Sequence, residues 1–195
     1  MKKIVSLLKI GQVDLTIFEM LKTKLEFSFR EFNISVDILK DIVPLENSEF
    51  NVKRNQYNAS KILDKINSYV QNRRFFRVLG ILDKDIFTSS LNFVFGLAMN
   101  PNNLKTSNPV ISLISITRLR EHFYRRPEDR FLFEERISKE AIHELGHTFG
   151  LPHCHKFCIM RFSNSITDTD YKPSLFCKSC LDKLRNFFKK LELFF

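Results

Sequence analysis

The apolar positions of this chain change their period several times, and each change marks a new element. Residues 2–10 form a dense apolar run of strand length. From Val13 to Phe32 the apolar residues Leu15, Phe18, Leu21, Leu25, Phe29 and Phe32 recur at steps of three and four, the period of a helix face. Ile34 to Leu39 alternates apolar and polar residues and predicts a second strand. Residues 41–56 hold Pro44, Asn47, Ser48 and Asn51, a composition that predicts an irregular surface connection. Asn58 stands where it can cap a helix whose inner side is Ile62, Ile66 and Val70. Phe75 to Leu82 is almost continuously apolar and suits a central strand covered on both faces.

The order strand, helix, strand, helix, strand predicts a parallel sheet with helices packed on it. Asn92 to Ala98 follows Leu82 after a link too short for a crossover, so it is expected to return as an antiparallel edge. Val110 to Ile116, after a loop rich in Pro and Asn, completes a five-stranded mixed sheet. Residues 130–149 predict a long helix, 150–177 a mostly irregular segment, and 178–194 a final helix. The fold class is therefore mixed α/β. A chain of 195 residues suits a single domain with one sizeable core. Within it, residues 1–150 form an N-terminal subdomain ending with the long helix, and 151–195 a smaller C-terminal one.

Composition sharpens this picture in four respects. Phe supplies 21 residues and Trp none, so the aromatic packing of the core has to be Phe on Phe. The apolar start is interrupted at Lys9, too early for a signal peptide, and no apolar run approaches the roughly 18 to 20 residues of a membrane span. A soluble, cytoplasmic protein is expected. The net charge of +9 is spread over small clusters, Lys53-Arg54, Arg73-Arg74-Arg77 and Arg118-Arg120-Arg125-Arg126, which reads as a solvated basic surface rather than a nucleic-acid footprint. The four cysteines all follow residue 153, and without a secretory signal they point to metal or redox chemistry instead of a disulfide framework.

The densest chemistry lies in His143-Glu144-Leu145-Gly146-His147. Within the long helix, residues four apart share a face, so the imidazoles of His143 and His147 point at one spot. Glu144 is rotated by about 100° from His143, close enough to reach a metal-bound water and poorly placed to be a ligand. Gly150 suits a helix C-terminus and Pro152 blocks continuation, so the chain reverses and can bring back His153 as a third ligand. Three histidines leave one zinc position open to water, as a catalytic site requires. Glu144 is then the general base. No other catalytic pattern is present: no GxSxG, no P-loop and no glycine-rich dinucleotide turn.

Cys154 and Cys158, then Cys177 and Cys180, form two pairs with the spacing of a closed four-sulfur zinc site. His155 is an alternative to one of these ligands. Two zinc ions per chain are expected, one catalytic and one structural. Because Cys154 directly follows His153, order in the sulfur site should help to place the third catalytic ligand.

These motifs resemble the archaemetzincin family, in which HExxHxxGxxHC is followed by two cysteine pairs and a Met in C-x-M. Here they are His143 to Cys154, Cys158-Ile159-Met160 and Cys177-Lys178-Ser179-Cys180. The resemblance continues through Tyr57 to Ser60, Val78 to Asp83, Asn92 to Gly96 and Phe162 to Asp168, and so covers nearly the whole chain. It implies a metzincin-type zinc peptidase domain with Met160 in a turn beneath the catalytic zinc. It also implies a four-cysteine structural zinc, and an edge strand near residues 91–98 that aligns a peptide substrate by main-chain pairing. Three residues, not the family's usual four, separate Cys154 from Cys158.

Two rival readings use the same residues. One is a basic zinc-ribbon module that binds nucleic acid or protein, with an inactive histidine site. Against it, aromatic RNA-binding motifs are missing. The other is a scaffold that docks partners through Leu181, Leu184, Phe188 and Leu191 on the last helix, a stripe that core packing also explains. The favoured expectation is a monomer acting on a peptide or protein substrate.

Overall fold

The central strands are apolar on both sides, which buries them between two layers of helices. The computed structural model describes residues 2–71, 73–99 and 110–193. Strand β1 (Ile4–Ile10) leads into helix α1 (Leu15–Ser28), capped by the Asp14 carboxylate, which accepts from the Thr16 N–H at 2.9 Å. Strand β2 (Ser35–Val43) follows a short 3-10 turn that ends at Asn33 with φ of 52°. The helical pattern up to Phe32 therefore joins two elements, α1 and this turn. Next come β3 (Phe50–Asn51), β4 (Gln56–Asn58), α2 (Ala59–Val70), β5 (Arg77–Leu82), β6 (Ile86–Phe87), β7 (Gly96–Ala98) and β8 (Val110–Ser115). Helices α3 (Arg130–Thr148), α4 (Ile166–Tyr171) and α5 (Lys178–Glu192) complete the order.

The main sheet has five strands in the order β2-β1-β5-β8-β7. All neighbours run parallel except β7, which pairs antiparallel with β8 through Gly96↔Ile114, Leu97↔Leu113 and Ala98↔Ser112. The mixed sheet and its antiparallel edge thus agree with the pattern in the sequence. Side chains alternate between two cores, as strand pleating demands. Leu79, Ile81 and Ile114 face α1, α3 and α5, while Val78, Leu82 and Leu113 face α2. Asn58 caps α2 as expected, its side-chain oxygen accepting from the Ser60 and Lys61 N–H groups at 3.0 and 3.2 Å.

Three expectations need correction. Residues 41–56 are not simply irregular: β2 runs to Val43, and β3, β4 and β6 build a second, three-stranded sheet from strands of two or three residues. Such short strands have no periodicity to read. Residues 150–177 contain α4, a helix announced only by its cap, Ser165, whose hydroxyl accepts from the Asp168 N–H at 3.2 Å. The edge strand is three residues long, not seven, with Phe93 and Phe95 packed edge to face at 5.3 Å before it. The Pro/Asn-rich loop at 100–109 and the end of the last helix at residue 194 lie outside the described residues.

Phe-on-Phe packing is realised where α5 meets the rest of the core. Phe32 stacks on Phe188 at 4.5 Å, and Phe149 contacts Phe29, Phe187 and Phe188 at 5.1–5.6 Å. The stripe on α5 is therefore internal: Leu184 and Phe188 are buried, with Leu181 and Leu191 packed against them.

Arg77 enters this aromatic cluster from β5, only 6% exposed. Its Nε donates to the Thr148 carbonyl at 3.2 Å and its Nη1 to the Phe76 carbonyl at 2.6 Å, while the guanidinium lies 4.5 Å from the Phe76 ring centre. Burial lowers its pKa to about 10, which leaves it charged at neutral pH. The charge sits on the carbonyl end of α3, where the helix dipole is negative. Arg77→Met should keep the packing volume and lose both hydrogen bonds, destabilising the zinc-loaded protein by about 1–3 kcal/mol in urea melts. An unchanged melting curve would remove this role.

Candidate active site

Helix α3 is buried around its whole circumference from Arg136 to Gly146, although it carries Arg136, Lys139, Glu140, His143 and Glu144 there. Burying so many polar groups is unfavourable unless each finds a partner. Most of the partners come from the chain after α3. Arg136 grips Asp170 with Nε at 2.5 Å and Nη2 at 2.6 Å, and Lys139 donates to the Thr169 and Asp170 carbonyls at 3.3 and 3.1 Å. These contacts hold α4 against α3.

His143, His147 and His153 converge, with ligand-type nitrogens all within 4.8 Å of one another. The Nε2 atoms of His143 and His147 lie 3.0 Å apart. Nδ1 of His143 is 2.9 Å from the Ile159 carbonyl, and Nδ1 of His147 is 2.7 Å from the Leu151 carbonyl. A carbonyl only accepts, so each Nδ1 carries the proton and each Nε2 turns its lone pair to the shared centre. Burial is the main cause that lowers the pKa of all three imidazoles, helped by the nearby Lys172 ammonium. Neutral imidazoles are the form that binds a metal. The donor set fits zinc, which takes nitrogen at about 2.0–2.1 Å in tetrahedral sites.

The return of His153 depends on the helix end. Gly150 adopts φ of 83°, and the Leu151 N–H donates to the Gly146 carbonyl at 3.1 Å. This left-handed closure reverses the chain within three residues. Met160 is fully buried against α3 at Gly146, next to His147; a Cβ on Gly146 would overlap its sulfur. The close approach of Met160 to α3 thus requires glycine at that position.

Glu144 is 5% exposed and faces β7. A Cβ on Gly96 would fall 2.5 Å from Glu144 Cγ and Oε1, so the edge strand passes directly over the carboxylate. Burial raises the Glu144 pKa well above the usual carboxylate range; the Glu140 charge adds to this and the Lys172 charge opposes it. The groups open into a cleft of about 630 Å³ bounded by β7, the loop at Ser89–Phe95, α3 and Phe162–Asn164. Phe162 lies edge-on to His153 at 5.0 Å.

Cys154, Cys158, Cys177 and Cys180 form the second cluster, again with all ligand atoms within 4.8 Å. Cys154 Sγ and Cys177 Sγ are 3.8 Å apart. Zinc–sulfur bonds of about 2.3 Å put tetrahedral sulfurs at about this separation. Burial works upward on Cys177, yet the Cys180 N–H and the neighbouring sulfurs outweigh it and bring the thiol to about 7. Burial pushes the Cys158 and Cys180 thiols up. His155 is exposed and outside this group, so the sulfur set is complete without it. Two backbone links join the clusters: the Ile159 carbonyl holds His143, and the Met160 carbonyl accepts from the Cys154 N–H at 2.9 Å.

Every candidate ligand named from the sequence except the alternative His155 therefore stands in one of two clusters. The sequence reading missed Gly96, Glu140, Ser163 and Lys172, all in or behind the cleft. Glu140 was within reach of the helix period, being four residues before Glu144 and three before His143. Lys172 and Ser163 carry no such signal. The basic clusters are largely neutralised or buried: Arg118 pairs with Asp85 at 2.6 Å, Arg120 with Asp83 at 2.8 Å, Arg73 with Asp41 at 3.1 Å, and Arg77 is internal. This disfavours the nucleic-acid module. Among the described residues no helix is long and apolar enough to cross a membrane.

Comparison with known proteins gives the family. The chain is 37% identical over 186 residues to the archaemetzincin of Pyrococcus furiosus, covering 94% of this chain and 93% of the relative. The crystal structure of the Archaeoglobus fulgidus archaemetzincin complexed with malonate has a TM-score of 0.74 at 33% identity, covering 92% of this chain and 99% of that one. For the Methanopyrus kandleri archaemetzincin the TM-score is 0.79 at 30% identity, with 96% of both chains covered. Residues 1–186 match the profile of Peptidase family M54, and the chain belongs to that family of zinc-dependent peptidases.

Proposed function

We propose that this zinc peptidase works as a metzincin, with the catalytic ion held by His143, His147 and His153 and with Glu144 as general base. The observation that carries the reading is the convergence of three imidazoles within 4.8 Å beside a buried carboxylate. Zinc in that position supplies a Lewis acid that acidifies water and polarises a carbonyl. Glu144 takes the proton of the attacking water, keeps it in its dehydrated pocket and returns it to the leaving amine. The carbonyls of Ile159 and Leu151 keep the two helix imidazoles in one tautomer and one orientation. The outer edge of β7, unpaired among the described residues, can pair with the main chain of an extended substrate and hold its scissile bond over Glu144.

The second ion of this proposal is structural and sits among Cys154, Cys158, Cys177 and Cys180. Supporting it are four free thiols whose sulfurs all lie within 4.8 Å of one another. Thiolate ligation of this kind fits a reducing compartment, and we place the enzyme in the cytoplasm. Residues 1–195 then act as one domain, since α5 and the sulfur cluster share the core of α1 and α3.

Two predictions separate base from ligands. Glu144→Ala should keep zinc content and folding while peptide hydrolysis falls about 10²-fold or more; full activity on a substrate cleaved by the wild type would refute the base. Gly96→Ala should imitate it in part, because the added methyl must displace the Glu144 carboxylate. Activity should drop with zinc retained, and wild-type kinetics for Gly96→Ala would show that the carboxylate does not need that position.

A third prediction concerns the metals. Native protein should hold two zinc ions of different lability, the histidine-bound one leaving first to a mild chelator, as metal analysis during chelation would show. Cys177→Ser should weaken the histidine-bound zinc by about 10- to 100-fold through the links at Cys154 and Ile159. Added zinc should recover part of its activity and none of that of Glu144→Ala. Wild-type zinc affinity in Cys177→Ser would disconnect the clusters.

A further inference from the structure

We propose that Glu140 turns the part of the cleft beyond Glu144 into a specificity subsite for a substrate side chain that ends in N–H donors, lysine and arginine foremost. The inference rests on the metal-centre reading above and adds the chemistry of the side chain next to the scissile bond.

Glu140 lies one helical turn, about 6 Å, before Glu144 on the same face of α3. It is 2% exposed, yet lines the same cleft as Gly96, Glu144 and Ser163. Its Oε1 accepts from the Thr169 hydroxyl at 3.0 Å and faces the Lys172 ammonium at 2.8 Å. Its Oε2 makes no hydrogen bond among the described residues. The Lys172 side chain is fully buried and does not line the cleft. Apart from this ion contact its ammonium has no hydrogen-bond partner among the described residues. The pair is thus a dipole with its negative end toward the cleft. Ser163 lines the same cleft, and its buried hydroxyl has no partner among the described residues either.

Stability does not explain this arrangement. A buried ion pair is often no better than apolar side chains of the same volume, and the neighbouring helix positions Ile137, Ala141, Ile142 and Leu145 are all apolar. The groups are also held rigidly, since Arg136 and Lys139 lock α4, which ends beside Lys172, onto α3.

Three kinds of substrate side chain meet this subsite differently. An aliphatic one would cover the Glu140 oxygen and the Ser163 hydroxyl and leave both unpaired. An acidic one would meet a like charge in a dehydrated space. A side chain with terminal N–H groups satisfies both acceptors. A lysine or arginine also carries its charge along the cleft away from the histidine centre.

The test uses zinc-loaded full-length protein and four hydroxamates that share one zinc-binding group and carry next to it a lysine-, glutamine-, leucine- or glutamate-like side chain. Calorimetry, normalised to measured zinc content, should give the lysine-like probe about tenfold tighter binding than the leucine-like one, with the glutamate-like probe weakest. In Glu140→Gln/Lys172→Met, which removes both charges and leaves no lone buried ion, the four affinities should draw together to within about threefold. Leucine-like or glutamate-like binding as the tightest on wild-type protein would overturn the subsite, and that order alone decides the matter should the double variant not fold. An unchanged spread in a folded double variant would overturn it too. If no hydroxamate binds the zinc-loaded protein, the metal-centre reading falls and the subsite with it; a reversed order among tight binders removes the subsite alone.

Discussion

A helix that buries its polar side must find partners for the groups on it, and α3 finds most of them in the chain that follows it. Arg136, Lys139, Glu140, His143 and His147 are all engaged by atoms between Leu151 and Lys172. That segment has little regular structure to stabilise it, so the dependence runs both ways. The polar face of α3 is its main anchor, and it in turn holds the imidazoles in one tautomer. The sulfur cluster adds a second anchor at Cys154, Cys158, Cys177 and Cys180. The two lie either side of Ile159 and Met160, whose carbonyls bind one residue in the histidine centre and one in the sulfur centre.

The same constraint accounts for two glycines. Gly146 lets Met160 pack closely on α3 beside His147, and Gly96 lets the edge strand pass over Glu144, so the helix is approached closely at both positions. A carboxylate enclosed in this way is dehydrated, which is the reason its pKa rises. The proposed substrate edge and the pressure on the proposed base are therefore one feature, set by the absence of a single methyl group.

The convergence of the three candidate ligands was legible in the sequence because helical geometry and a chain reversal are local. His143 and His147 are four apart on one helix, and Gly150 with Pro152 forces the return that brings His153 back. The five-stranded sheet was legible for a related reason, since long apolar runs leave few places for a strand such as Arg77–Leu82. The second sheet was not. Phe50–Asn51, Gln56–Asn58 and Ile86–Phe87 are too short to show a period, and what fixes them is contact across distant sequence, as in Gln56 bonding Asp85 at 3.0 Å. Lys172 was invisible for the opposite reason: a lysine in a polar segment looks solvated, and only the approach of α4 to α3 makes it internal.

Buried charge of this kind helps to tell function from framework. Arg77 and Lys172 are both interior cations, but they solve different problems. Arg77 has no carboxylate partner among the described residues; it spends its donors on the Thr148 and Phe76 carbonyls and lies against aromatic rings, so it serves the end of α3 and the Phe cluster. Lys172 faces one oxygen of the carboxylate of Glu140, a residue of the cleft wall whose other oxygen has no hydrogen bond among the described residues. The first arrangement closes its hydrogen bonds inside the protein. The second leaves one open at the cleft, beside the proposed base, where the proposed recognition element would act on the bond being cleaved.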